Sequence, residues 1–181
     1  MTDLKKHLLM TGCGLALLAF NGCRRAPEGW NPVMEESSTA FLTTETEAVA
    51  SHLRLVQTDL TADPVHAAEE LAAAQDGLDR LLDYYLPLLE ARELAYNAYR
   101  HHYLGKTKQT SRELDDVEMI LMTIAKSRHG HLLPEMEDPL EKLEDARAAL
   151  EASDDRAAEA LRELATRLNF LLVRGDLVLS E

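Results

Sequence analysis

From Ser37 to Gly175 the apolar residues of this chain recur every three or four positions, and that period limits the fold more than any other feature of the sequence. No run alternates apolar and polar residues as a half-buried strand does. The one Asp-Gly pair in the stretch, Asp76-Gly77, has helical spacing on either side of it rather than strands. The pattern predicts an all-α protein, an elongated antiparallel helical bundle of about five helices occupying 37–181.

The stops and starts divide that pattern. A first helix is expected from about Ser38 to Leu60, with Phe41, Leu42, Val49, Leu53, Val56 and Leu60 as its stripe. Asp63-Pro64 supplies a cap and a first-turn proline for a second helix. Leu71, Gln75, Leu78, Leu82, Tyr85, Leu89, Tyr96, Tyr99 and Tyr103 form its heptad-like seam, and Gly105 stops it. That helix is about 40 residues, or about 60 Å, long. Pro87 in its middle removes a backbone hydrogen bond and predicts a kink or break. A capping box at Thr110-Ser111-Arg112-Glu113 opens the third helix, and Gly130 ends it. Asp138-Pro139-Leu140-Glu141 opens the fourth, and Ser153-Asp154-Asp155 links it to the fifth. In the fifth, Ala157, Leu161, Leu164, Leu168, Leu171 and Leu172 face inward. Short links make successive helices antiparallel neighbours. Helix one is expected beside the first half of helix two and helix three beside its second half, with the last hairpin on the remaining side.

Charge and cysteine content exclude several functions. With 32 acidic against 19 basic residues, the formal net charge is −13, and such a chain cannot neutralise a phosphate backbone, so no nucleic-acid partner is expected. Two cysteines build neither a four-thiolate zinc site nor a disulfide framework.

The N-terminus reads as an address. Lys5, Lys6 and His7 precede a largely apolar stretch from Leu8 to Phe20, which is short for a membrane span and suited to a signal h-region. Phe20-Asn21-Gly22-Cys23 follows. This segment resembles the lipobox of bacterial lipoprotein precursors; Gly22 and Cys23 match it, while Phe20 and Asn21 stand where an aliphatic and a small residue are usual. The resemblance covers this segment alone. It implies a signal peptide over 1–22, a lipidated Cys23 as first mature residue, and anchorage in the cell envelope. Arg24, in place of an Asp that favours inner-membrane retention, leans toward the periplasmic side of an outer membrane if the organism has one. Two other readings stay open: a secretory signal or uncleaved anchor without lipid, and a cytosolic protein with an apolar first helix. Cys13 also follows a glycine but has too short an apolar run before it. Residues 23–36, with Pro27, Gly29 and Pro32, read as a tether. Arg24 and Arg25 suit anionic headgroups, and Trp30 suits either the membrane interface or a plain linker role.

Reactive side chains are sparse. Adjacent residues on a helix point about 100° apart, so His101 and His102 do not chelate one ion together. His129 and His131, near Glu135, Glu137 and Asp138, are the remaining metal candidates. No Glu is followed by His three residues on, and neither Cys-x-x-Cys-His nor His-Glu-x-x-His occurs. No catalytic residue and no cofactor is therefore expected. The many carboxylates read as solvated helix faces paired with Lys142 and Arg147. Tyr96, Tyr99 and Tyr103 share a helix face with Tyr85, forming either a ligand or peptide groove or a wide core seam. The expected function is a membrane-anchored envelope lipoprotein acting without catalysis, as a helical scaffold or binding module for an envelope protein partner. The alternatives are a metal- or cofactor-binding periplasmic bundle and a periplasmic chaperone.

Overall fold

The computed structural model describes residues 36–127 and 133–175. Every regular element among them is a helix: α1 (Glu36–Asp59), α2 (Pro64–Arg80), a π-helical turn (Leu81–Tyr85), α3 (Leu86–Tyr103), α4 (Thr107–Ala125), α5 (Leu133–Glu151) and α6 (Ala157–Val173). α2, the π turn and α3 run on as one helix over 64–103, which leaves five helices among the described residues.

The discontinuity expected at Pro87 is the π turn just before it. A mid-helix proline drives its ring against the carbonyl four residues back, here that of Asp83. The widened turn relieves that contact, and the Leu86 N–H reaches back to the Leu81 carbonyl. One inserted residue rotates the downstream face by about 100°. The single seam expected from Leu71 to Tyr103 therefore belongs to two faces. Leu71, Leu78 and Leu82 are 49, 42 and 61% exposed, whereas Tyr84, Tyr85, Leu88, Ala91, Ala95 and Ala98 are fully buried.

α1 packs along α2 as a hairpin. Its contact line on α2 is Ala67, Ala74 and Gly77 rather than leucines. A Cβ on Gly77 would stand 2.7 Å from Val49 Cγ2, so the two backbones approach as closely as small residues allow. The remaining helices close a ring: α3 packs on α4 and α6, and α5 packs on α6 and α4. Its core is Leu88, Leu114, Val117, Leu121, Ile124, Met136, Leu143, Leu161, Leu164 and Leu168, with the small Ala95, Ala98 and Ala146 between them. At the π turn the Tyr84 hydroxyl donates to the Leu171 carbonyl (3.3 Å), and the Tyr84 and Tyr85 rings meet edge-on at 5.0 Å.

Several ends match the sequence. The Asp63 side chain accepts from the His66 N–H at 3.2 Å, with Pro64 as first helical residue. Gly105, at φ 72°, completes a Schellman turn in which the Lys106 N–H donates to the His101 carbonyl (2.8 Å). Ser153 does the same for α5 at φ 52°, and the Asp154 N–H donates to the Ala149 carbonyl (2.9 Å).

Two expected starts are displaced. α4 begins at Thr107, so Thr110 lies inside it; its hydroxyl is buried and donates to the Lys106 and Ala98 carbonyls (3.3 and 3.4 Å). Glu113 does not close a capping box but receives His101 Nδ1 at 2.9 Å, tying α4 to α3. α5 begins at Leu133 with Pro134 in its first turn, which leaves Asp138 and Pro139 in the helix interior. There Asp138 forms an ion pair with Arg167 of α6.

Candidate functional site

Of the residues singled out from the sequence, Cys23, His129 and His131 lie outside the described residues. Tyr96, Tyr99 and Tyr103 stand on α3. Tyr99 is buried and the other two are half-buried. Burial pushes the Tyr99 phenol up from its ordinary value; Arg162 of α6 partly offsets this, and Tyr103 and Tyr96 add to it. Tyr99 is thus the core member of the three, close enough to Tyr96, Tyr103 and Arg162 of α6 to feel their charges.

The other expected core residues that came to the surface make a more extended feature. Leu53 on α1 and Leu60 just past its end are 41 and 62% exposed; Leu71 and Leu78 on α2 and Leu82 in the π turn join them. Each of the first four follows a contact-line residue by four positions: Leu53 after Val49, Leu60 after Val56, Leu71 after Ala67, Leu78 after Ala74. Four residues carry a side chain about 40° past the starting position. In an antiparallel pair the same sense of rotation on both helices brings both rows to one side of the hairpin. The exposed residues beside them, Gln57, Ala68 and Gln75, are uncharged. The result is a row of exposed leucines along one side of the hairpin. Large exposed apolar patches of this kind mark interaction surfaces.

The opposite edge of the hairpin holds its polar clamps. His52 Nδ1 lies 2.6 Å from Glu70 Oε2, His66 Nδ1 3.2 Å from Asp59 Oδ2, and His66 Nε2 3.8 Å from Glu70 Oε1. Arg80 spans Asp76 of its own helix and Glu45 of α1 (3.3 Å). These contacts fix the register of α1 on α2. Among the described residues no group of three or more His, Cys, Asp or Glu side chains is arranged to hold a metal ion.

Two features escaped the sequence reading. Arg92 is 7% exposed, and its guanidinium donates to Asn169 Oδ1 of α6 at 3.0 Å; burial pulls its pKa down, against the Glu93 charge. Its place one helical turn after Leu88 and two before Tyr99 on α3 was the available signal. The leucine face was concealed because the smaller Ala67, Ala74 and Gly77 take the contact line beside it.

No protein-family model, curated protein or solved structure matches the chain.

Proposed function

We propose that this chain is a membrane-anchored lipoprotein of the cell envelope. It acts without catalysis, binding an amphipathic helix of an envelope protein partner on the α1–α2 hairpin. The observation that carries the binding half is the row Leu53, Leu60, Leu71, Leu78 and Leu82, exposed on one side of a two-helix layer. An amphipathic helix laid along that row turns the hairpin into a three-helix packing and buries leucines at seven- and four-residue spacing. The anchor half rests on Gly22-Cys23 after the apolar stretch. Several acyl chains hold a protein firmly where one does not. Arg24 leans toward the periplasmic side of an outer membrane if the organism has one.

The two halves are tested separately. For the anchor, mass analysis of the native N-terminal peptide is expected to find an acylated Cys23, with precursor accumulating in Cys23→Ser; an unmodified Met1 start overturns it. For the binding half, a photo-crosslinking residue replaces Gln75 in the full chain in cells. A discrete adduct is expected that disappears in Leu71→Glu/Leu78→Glu while the helical circular dichroism stays. An adduct unchanged by those substitutions, or none, overturns the hairpin as the site.

A further inference from the structure

The face that carries Leu53, Leu60, Leu71, Leu78 and Leu82 has the form of one half of a symmetric interface. Val49 lies against Gly77 and Asp59 against His66, so in this antiparallel pair Leu53 stands level with Leu71. Leu60 lies toward the α1–α2 turn, and Leu78 and Leu82 toward the other end. Leu86, 46% exposed and four residues past Leu82, prolongs the row. A two-fold axis running along the hairpin, between two such faces, keeps every residue at its own level. It lays α1 of one copy antiparallel on α2 of the other and brings Leu53 and Leu71 of both copies into one four-leucine layer.

Size and charge fit such a pair. α1, with 24 residues, spans about 36 Å, and two helices side by side measure about 20 Å across. Each face is therefore about 700 Å², close to the share of one partner in a stable complex, about 800 Å². Two chains of formal net charge −13 repel one another unless they meet where carboxylates are few. Gln57, Ala68 and Gln75 stand exposed beside the leucines, and the ion pairs of Glu45 and Glu70 lie on the opposite edge. Arg54 and Asp79 each follow a row leucine by one residue, about 100° on, which puts them at opposite rims of the face. With α1 laid on α2, the Arg54 rim of one copy runs along the Asp79 rim of the other, opposite in sign.

We infer that the chain pairs with a second copy of itself through the α1–α2 hairpin, α1 on α2, as a four-helix layer closed around Leu53 and Leu71. The inference rests on the reading of the leucine row as a partner site and names that partner.

Two differently tagged full-length copies are expressed together in cells, one of them carrying a photo-crosslinking residue in place of Gln75. The expected adduct has twice the mass of the chain, holds both tags and is attached within α1 of the second copy. Leu53→Glu in the second copy is expected to lower its yield about tenfold or more. Leu53→Met, which keeps the apolar surface, is expected to retain it. Leu53 is exposed, so both variants keep the fold, which circular dichroism checks. An adduct to a different protein overturns the inference and leaves the row as a partner site; no adduct at all overturns both readings. A doubly tagged adduct attached to α4, α5 or α6, or one whose yield Leu53→Glu leaves unchanged, also overturns the inference.

Discussion

The α1–α2 hairpin buries Val49, Ala67, Ala74 and a glycine; the ring of α3 to α6 buries Leu114, Leu121, Ile124, Met136, Leu161, Leu164, Leu168 and Leu172. Both regions are drawn from the same Ala- and Leu-rich composition. The difference is the number of neighbours. A ring helix faces two others and consumes a wide apolar arc, as α6 does from Ala157 to Leu172. A hairpin helix has one main contact line, and small residues on that line bring the backbones close. Its leucines are left flanking the seam. Burial in the ring carries the stability, and the hairpin's leucines stay exposed.

The sharpest division is between core leucines of the ring and flanking leucines of the hairpin. Leu164→Ala, at a fully buried position, is expected to cost about 2–5 kcal/mol through lost burial and the cavity left behind. Thermal denaturation followed by circular dichroism is expected to show a fall in Tm of about 10 °C. An effect below 1 kcal/mol would erase the distinction drawn between the two regions. Gly175→Ala comes next. Its new Cβ would stand 2.4 Å from Tyr85 Cε1 and 3.1 Å from Tyr84 Cε1, in two buried rings packed against each other. Overpacking of that kind costs about 1–3 kcal/mol, and Tyr85→Leu in the same chain is expected to recover part of it.

The ring was legible in the sequence where one residue type did one job. The inward row of α6, the Leu114, Val117, Leu121 and Ile124 row of α4, the Asp63 cap and the Gly105 stop all stand as read. Reading failed where two physical demands shared a residue. Thr110 looked like a cap because Ser and Thr favour caps, yet its hydroxyl bonds carbonyls from inside a helix, a second use of the same group. Asp138-Pro139 looked like a start, but Pro134 had already served the first turn and Asp138 faces Arg167. The π turn defeated any fixed period, since one inserted residue re-aims everything after it. The candidate site was hidden for a related reason. Leucine outweighs alanine in any hydrophobic pattern, while close helix packing selects the alanine.

Gly77 tests why the hairpin seam is small. Alanine is the better helix former by about 1 kcal/mol, but its Cβ would meet the stiff, β-branched Val49. Gly77→Ala is therefore expected to speed hydrogen exchange in α1 while leaving α4 and α6 unchanged. In a Val49→Ala background the same change is expected to stabilise the hairpin by about 1 kcal/mol. Identical effects in both backgrounds would remove close approach as the reason for the glycine.

Tyr99 gives the ring a pH signature of its own. Its phenol is raised above the ordinary 10.0, chiefly by burial. The stability tied to the protonated phenol is complete below that ordinary value and is lost as pH rises through the higher native one. Tyr99→Phe is expected to flatten the alkaline limb of a denaturant-derived stability curve and to change neutral stability by less than about 1 kcal/mol. An unchanged alkaline limb would show that Tyr99 does not titrate with unfolding.

The smallest expected effect on stability is the most informative about function. Leu78 is 42% exposed, four residues past the contact-line Ala74, and Leu71 stands one heptad before it. Leu78→Gln keeps the side chain's reach and its helix propensity and removes only its apolar end, so stability is expected to move by no more than about 0.5 kcal/mol. The same change places an amide in the middle of the proposed contact with a partner helix. There it is desolvated without a hydrogen-bond partner, which weakens binding by about tenfold or more. Leu164→Ala should do the reverse, lowering Tm while leaving partner affinity intact below the melt. The pair therefore separates folding from binding within one chain. If Leu78→Gln lowered Tm as far as Leu164→Ala, the hairpin face would be core after all, and its leucines would need a covering layer within the chain itself.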